Sequence, residues 1–178
     1  MRIVFRANAS SQLGSGHIMR CLTLAEALCK DKDNIVEFVT QKYNENLDNL
    51  ISEKGFIVHS IDLPVKTNEE VESDIFNQEN DANDTINAIK KHEIDWIVVD
   101  HYLIDYIWQE KLRPYTKKIM VIDDLANRKH NCDLLLDQNY FINNKRYESL
   151  VPPGATKLLG PSFALLRKEF HDSRKKIK

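Results

Sequence analysis

The sequence has 178 residues and a formal net charge of −2, with 42% apolar and 29% charged residues. This length is typical of about one domain with its own core, and the composition is too apolar for a disordered chain. The charges are mixed in sign along the chain, which excludes the strong basic field of a nucleic-acid-binding or anionic-membrane-binding protein. No apolar run approaches the roughly 18 to 20 residues of a membrane span.

The expected compartment follows from the N-terminus and the cysteines. The N-terminus has the pattern of a strand and not of a signal peptide. Cys21, Cys29 and Cys132 form no CxxC pair, and an odd, scattered set is typical of buried thiols in a reducing compartment. No group of His, Cys and carboxylate residues has metal-ligand spacing. We therefore expect a cytoplasmic protein with no metal and no cofactor.

Short apolar runs alternate with amphipathic stretches in the first half of the chain. IVF near the N-terminus predicts a buried strand, and apolar side chains at helical spacing predict a helix over residues 17–30. A strand at IVEFVT, a helix closed by Gly55 and a strand at FIVHSI follow. Residues 62–81 are polar and are predicted to form an exposed loop.

The second half continues this alternation. In chain order, the predicted elements are a helix at DTINAIKKH, a strand at IDWIVVD, a helix at YIWQEKLRPY that Pro114 ends or kinks, a strand at KIMVIDD and a final short strand at CDLLLDQN. Uniformly apolar strands separated by helices predict an α/β fold, a parallel sheet covered by helices on both faces.

In such a sheet, ligands bind beyond the carboxyl ends of the strands. The polar residues at these ends are Arg6 to His17, Asp100 to Tyr102, Asp123 and Asp124, and Asp137 to Asn139. Two alternatives to ligand binding remain open. Asp100 could cap a helix that begins near Tyr102, and Asp123 or Asp124 could accept hydrogen bonds from loop amides.

The stretch QLGSGHIMRC follows the first predicted strand. Gly14 and Gly16 permit positive φ and close approach of another molecule, and the free N–H groups of a helix's first turn favour an anion. A neutral His17 in this crevice can accept a proton near neutral pH. The turn is neither GxGxxG, because Met19 replaces the third glycine, nor a P-loop, because GK[ST] is absent. The alternative is that His17 only caps or packs.

The other candidate side chains have weaker signals. His101 has no glycine turn to expose it, and His59 and His92 are most simply structural or solvent-facing. Ser15 lacks the GxSxG elbow of a serine nucleophile, and no Ser-His-Asp arrangement is evident. His17 is the candidate catalytic residue because IVVDHY and VIDD place further polar groups at the same edge of the predicted sheet.

Four stretches resemble a known family: RANASSQLGSGHIMRCLTLAEAL, VVDHYLID, IDDLANRKHNCDLLLDQNY and LLGPSFALLRKEF. The sequence is similar to the nucleotide-sugar hydrolases of the pseudaminic acid pathway, the UDP-2,4-diacetamido-2,4,6-trideoxy-β-L-altropyranose hydrolases. These in turn are similar to spore coat polysaccharide biosynthesis proteins. The four stretches cover nearly the whole chain.

The resemblance implies a GT-B architecture, in which two Rossmann-like domains face each other across a cleft. It implies release of UDP from the sugar by water attack at the anomeric carbon, with inversion and without a required metal. His17 matches the general base of the family. The expected substrate-binding residues are Asn8, Gly14, Ser15, Gly16, Asp100 and Tyr102.

Family members continue past LLGPSFALLRKEF into a second domain that holds most uridine and diphosphate contacts. We therefore expect residues 1–170 to form the N-terminal Rossmann-like domain and residues 171–178 to form a linker or tail, with the C-terminal nucleotide-binding domain absent. The expected partners are a UDP-sugar substrate and a complementing C-terminal domain, and neither nucleic acid nor membrane.

Two other functions remain as alternatives. Lipid-linked GlcNAc transferases of the GT-B class also carry a glycine-rich turn with a histidine after the first strand. They need an apolar and basic surface that faces the lipid, and no stretch here provides one. The third hypothesis is a non-catalytic binding or assembly module.

Overall fold

A computed structural model describes residues 1–7, 16–42, 48–62, 76–89, 93–142, 145–167, 169–170 and 173. The strands are β1 (Arg2–Ala7), β2 (Ile35–Gln41), β3 (Ile57–Ile61), β4 (Ile94–Asp100), β5 (Thr116–Ile122), β6 (Leu134–Asp137) and β7 (Thr156–Leu159). The α-helices are α1 (Gly16–Leu28), α2 (Asp48–Glu53), α3 (Gln78–Ile89) and α4 (Tyr106–Leu112), and 3₁₀ turns occupy Arg113–Tyr115 and Pro161–Phe163.

The strands form one sheet in the order β3-β2-β1-β4-β5-β6-β7, and every neighbouring pair is parallel. Strands β2 and β3 are added in turn on one side of β1. The chain then crosses back, and β4 to β7 are added in turn on the other side of β1. The strand order therefore reverses between β1 and β4, which is where ligands bind in open α/β sheets. The predicted α/β fold, a Rossmann-like parallel sheet with helices around it, is confirmed.

Apolar side chains cover both faces of the sheet. On β1, Val4 belongs to one buried cluster, whereas Ile3 and Phe5 belong to the other. Successive side chains of a strand point to opposite faces, so a strand buried on both sides must be apolar at consecutive positions. Helix α1 packs its buried side chains, which include Ile18 and Leu22, into the same cluster as Phe5. This packing fixes the start of α1 near the carboxyl end of β1.

The helix ends mostly agree with the sequence, with one correction. Gly55 follows α2 with φ of 85°, as a closing glycine should. Helix α4 begins at Tyr106 and not near Tyr102, and its N-cap is Asp105, which accepts a hydrogen bond from the Ile107 amide at 2.8 Å. The alternative that Asp100 caps this helix is therefore wrong, because the intervening residues form a turn.

The exposed loop predicted over residues 62–81 is partly wrong. Helix α3 already begins at Gln78, and Asp81 is only 4% exposed. Its carboxylate accepts from the Arg6 guanidinium, at 2.5 and 3.1 Å, and from Trp108 Nε1 at 2.8 Å. A buried charge needs such partners, and they lie far away in the sequence. Residues 63–75 lie outside the described residues.

The strand predicted at CDLLLDQN is confirmed as β6, but the prediction that it is the final strand is wrong. Strand β7 lies beyond it and pairs in parallel with β6. It forms an edge of the sheet, and its sequence TKLL begins with two exposed polar residues. Edge strands with polar residues lack the continuous apolar run of a central strand, so the pattern did not reveal it.

No helix in the described part of the chain is both long and apolar enough to cross a membrane. The proposed boundary at residue 170 stays a prediction, since little of the stretch beyond it is described.

Candidate functional site

The predicted catalytic histidine lies at the point where the strand order reverses. Helix α1 begins at Gly16, so His17 is in its first turn. Asp100 ends β4 and lies in register with Ala7, the last residue of β1. The structure thus brings His17 and Asp100 to one corner of the sheet. The other predicted glycine-turn residues, Asn8, Gly14 and Ser15, lie outside the described residues.

A carboxylate and an aromatic ring contact the His17 side chain. Nδ1 of His17 lies 3.6 Å from Oδ1 of Asp100, and the His17 side chain is 12% exposed. The ring of Tyr102 contacts the imidazole edge-on, with centroids 4.5 Å apart and an interplanar angle of 83°. Edge-to-face packing is a favoured aromatic geometry. The imidazole is therefore held on two sides and still reaches the surface.

Arg20 connects the buried carboxylate to a second one. Its Nε and Nη2 donate to the two oxygens of Asp100 at 2.5 and 2.6 Å, and its Nη1 donates to Asp124 at 3.1 Å. Burial opposes the charged guanidinium, but the hydrogen bonds and charge of Asp100, and then those of Asp124, raise the pKa of Arg20 above its ordinary value. The guanidinium thus stays charged.

We call His17, Arg20, Asp100, Tyr102 and Asp124 the His17 cluster. Tyr102 forms part of its rim: the residue is 42% exposed, and its hydroxyl lies 3.5 Å from Asp124 Oδ2. Burial, and then the charge of Asp124, raises the pKa of Tyr102, so this hydroxyl keeps its proton at neutral pH. When the imidazole is neutral, the cluster carries two negative charges, on its carboxylates, and one positive charge, on the guanidinium of Arg20.

Sequence reasoning missed Arg20. It lies three residues after His17 on α1, a spacing that places two side chains on the same helix face. That spacing was the available signal, but nothing local showed that Asp100, 80 residues away, would be its partner.

The thiol beneath the cluster is inert. Cys21 is fully buried on α1, and its Sγ lies 3.5 Å from Asp100 Oδ2. Burial, and then the charge of Asp100, raises the pKa of Cys21 well above its ordinary value. A thiol kept protonated is neither a nucleophile nor a ready metal ligand. Packing is therefore its role, as the sequence predicted.

His101 is the neighbouring histidine, and it is buried. Its ring stacks on Phe76, and its Nδ1 accepts a hydrogen bond from the Leu103 amide at 3.1 Å. Burial, followed by the charges of Arg6 and His17, lowers the pKa of His101 well below 6.5. His101 is therefore neutral at physiological pH and is walled off from solvent, unlike His17.

A second polar group lies along the same edge of the sheet, after β5 and β6. The Tyr147 hydroxyl lies 3.0 Å from Asp123 Oδ2 and 3.1 Å from Asp137 Oδ2. Asp123 also accepts from the Ala126 amide at 2.9 Å and pairs with Arg128 at 2.9 Å. We call Asp123, Arg128, Asp137 and Tyr147 the Tyr147 network. The alternative that Asp123 satisfies a loop amide is confirmed.

Metal chemistry has no evident site in the described part of the chain. There, no three His, Cys, Asp or Glu side chains are grouped so that they could hold a metal ion. The arrangement of His17 and Asp100 suits proton transfer: a mostly buried imidazole has one nitrogen beside a carboxylate, which is how acid–base histidines are oriented in enzymes.

Comparison with known proteins gives sequence relatives but no family model that matches the chain. The chain is 30% identical over 176 residues to the UDP-2,4-diacetamido-2,4,6-trideoxy-beta-L-altropyranose hydrolase of Campylobacter jejuni, which is 98% of this chain and 55% of that protein. It is 26% identical over 180 residues to an uncharacterized protein of Methanocaldococcus jannaschii, covering 99% of this chain and 33% of that protein. The chain thus spans about half or less of these relatives.

Among solved structures, the fold of the chain resembles part of MurG of Acinetobacter baumannii, a GT-B enzyme, with a TM-score of 0.54 over 89% of this chain and 45% of MurG. At 12% identity this likeness shows the fold alone. The sequence relationship is more specific, and the part of the C. jejuni protein that it covers is N-terminal. The family resemblance is therefore confirmed: the chain is, over nearly its whole length, a relative of the N-terminal part of a UDP-diacetamido-trideoxy-altropyranose hydrolase.

Proposed function

We propose that this chain is the histidine-bearing half of a nucleotide-sugar hydrolase. Its substrate would be a UDP-linked 2,4-diacetamido-2,4,6-trideoxyhexose, used in the biosynthesis of pseudaminic acid or a related surface glycan in the cytoplasm. The observation that carries the proposal is the mostly buried but surface-reaching His17 at the start of α1, with Nδ1 3.6 Å from the Asp100 carboxylate. The relationship to the C. jejuni hydrolase supports the choice of substrate.

In the proposed reaction, His17 removes a proton from water as the water oxygen bonds to the anomeric carbon. The bond between that carbon and the β-phosphate oxygen breaks, and UDP leaves with the bonding electrons. Asp100 stabilises the imidazolium that forms. A positioned general base typically contributes about 10²- to 10⁴-fold to the rate, so His17 should be the most sensitive position in the cluster.

Substrate contacts would come from the glycine turn and the rim. The N–H groups at the start of α1, from Gly16 onward, provide partial positive charge for sugar or diphosphate oxygens. The exposed ring of Tyr102 provides an apolar face beside His17. Asn8, Gly14 and Ser15 complete the proposed substrate-binding set.

The nucleotide half of the substrate would be held by a second domain. The C. jejuni relative is longer than the matched part, which supports a C-terminal partner, either in a longer protein or as a separate chain. Without it, the leaving group is poorly positioned, and orientation contributes much of an enzyme's rate.

The experiment measures UDP release from the sugar nucleotide in water, with no acceptor, by the chain alone and together with the separately produced C-terminal part of the C. jejuni hydrolase. We expect release in the second arm, and H17Q should lower it at least about 100-fold. The matched control is H59Q, because His59 is partly exposed on β3 and pairs with Glu37. Its rate should match the unchanged protein.

Three outcomes would contradict the proposal. Full activity of H17Q would exclude His17 as the base. Release of UDP only when a sugar or lipid acceptor is added would indicate a glycosyltransferase. No release in either arm, together with no binding of the sugar nucleotide, would favour a non-catalytic module.

A further inference from the structure

We infer that Asp100 is a positioning residue: its buried carboxylate holds the neutral His17 ring in the Nδ1–H tautomer, so that Nε2 is the nitrogen that accepts a proton. The catalytic consequence of this inference rests on the proposed function. The tautomer itself follows from the geometry and does not depend on any reaction.

The first argument is that Arg20 and the backbone of β4 fix the orientation of the Asp100 carboxylate. Its side chain is 1% exposed, and Arg20 binds both of its oxygens at 2.5 and 2.6 Å. A two-pronged guanidinium bond fixes the plane of a carboxylate as well as its position. Asp100 is also anchored through its backbone, because β4 pairs with β1 up to this residue. The carboxylate therefore cannot turn toward a substrate without losing Arg20.

The second argument is what the fixed carboxylate faces. Oδ1 of Asp100 lies 3.6 Å from His17 Nδ1. This is longer than a hydrogen bond, but catalytic hydrogen bonds are often long without substrate and shorten in the complex. A carboxylate accepts and does not donate, so it favours a proton on the nitrogen that faces it. In a neutral ring the other nitrogen, Nε2, is then the basic one.

The other charged or titratable groups around His17 do not compete for this role. Arg20 lies on the same helix and is engaged by Asp100 and Asp124. His101 is neutral through burial, and Tyr102 contacts the imidazole with its ring edge and directs its hydroxyl to Asp124. Among the described residues, Asp100 is the carboxylate that pairs with His17.

The test is ¹⁵N NMR of the 178-residue chain labelled at histidine, at a pH where the imidazoles are neutral, with H17Q used to assign the His17 signals. Free histidine favours the Nε2–H tautomer. We expect His17 to be mainly Nδ1–H in the unchanged chain, and D100N to move it toward Nε2–H. A predominant Nε2–H form in the unchanged chain would overturn the inference, even if D100N does not fold.

The matched control is D124N. It also removes a carboxylate bonded to Arg20, but among the described residues the carboxylate that pairs with His17 is that of Asp100 and not that of Asp124. Its His17 tautomer should be unchanged, and an equal shift in D124N and D100N would show a general structural effect instead. In the hydrolysis assay, D100N should lower kcat at least about 10-fold with little change in KM, as expected for a residue that orients a base. The inference thus gives Asp100 a positioning role in place of the substrate contact that the family resemblance implied.

The two proposals can fail separately. If the tautomer is as expected but no UDP is released, the hydrolase function fails and the pairing stands. If H17Q abolishes hydrolysis but His17 is the Nε2–H tautomer, the function stands and the role of Asp100 is wrong.

Discussion

The His17 cluster and the Tyr147 network use similar residues at the same edge of one sheet, yet they differ in their access to water. In the first, the side chains of His17 and Asp124 are 12% and 19% exposed. In the second, Tyr147 is fully buried, the side chains of Asp123 and Asp137 are 0% and 2% exposed, and only that of Arg128, at 15%, reaches the surface. Position after a parallel strand therefore does not by itself decide whether a polar group reaches the surface. The two groups differ in whether their central ring, that of His17 or that of Tyr147, reaches the surface.

The Tyr147 network serves to anchor a loop. Tyr147 lies in the turns between β6 and β7, and its hydroxyl ties that stretch to the strand ends. Burial, and then the charges of Asp123 and Asp137, raises the pKa of Tyr147 far above its ordinary value. Arg146 links the two groups, since it donates to the Asp124 carbonyl at 2.9 Å and lies 3.6 Å from Asp137 Oδ2.

The largest expected effect is a loss of folding stability when a carboxylate of the Tyr147 network is replaced, compared with one of the His17 cluster. D123N leaves Arg128 without its buried carboxylate, and breaking a buried pair costs about 3 to 5 kcal/mol. D124N should cost less than about 1 kcal/mol, because Asp124 is partly exposed and Arg20 keeps its bonds to Asp100. Urea denaturation measures both free energies of unfolding. Similar costs for the two variants would break the distinction between an anchoring and an accessible group.

A second effect concerns acid stability, and it comes from His130 beside the Tyr147 network. Burial lowers its pKa from 6.5 to about 4, against the charge of Asp123. The unfolded chain therefore binds this proton first as the pH falls. Above pH 6.5, His130 is neutral in both the folded and the unfolded chain and does not reduce the free energy of unfolding. As the pH falls from 6.5 to about 4, protonation of the unfolded chain lowers this free energy by about 3 kcal/mol.

Urea midpoints between pH 7 and pH 4 test this expectation. H130Q should flatten part of the acid slope, because glutamine does not titrate, whereas H59Q should leave this part in place. His101 adds a loss in the same direction, since burial also lowers its pKa, so some slope should remain in H130Q. An unchanged slope in that variant would show that His130 is not the responsible group.

The smallest expected effect is the change in unfolding free energy when the hydroxyl of Tyr147 or of Tyr102 is removed. Y147F leaves two buried carboxylates without their shared donor, which should cost about 1.5 to 3 kcal/mol of unfolding free energy. Y102F removes a hydroxyl 3.5 Å from its partner at an exposed rim, and it should cost less than about 0.5 kcal/mol. If Y102F proves as destabilising as Y147F, the His17 cluster is structural in the same sense as the Tyr147 network.

The order of the predicted elements followed from local patterns. Strands buried on both faces have to be apolar at consecutive positions, so IVVD and KIMVI indicated central parallel strands. The spacing of Ile18, Cys21, Leu22 and Ala25 indicated the buried face of α1. The same reasoning failed at β7, where an edge position requires no such pattern.

The sequence by itself determined an α/β sheet and placed a histidine at the start of the helix that follows β1, because strand burial, helix periodicity and glycine turns act over a few neighbouring residues. Only the tertiary structure decided which charges meet. Arg6 pairs with Asp81 across 75 residues and Arg20 with Asp124 across 104. Charged partners so far apart are brought together by the order of the strands in the sheet, and no local pattern encodes that order. Tertiary packing also decides that His17 reaches the surface whereas His101 is buried.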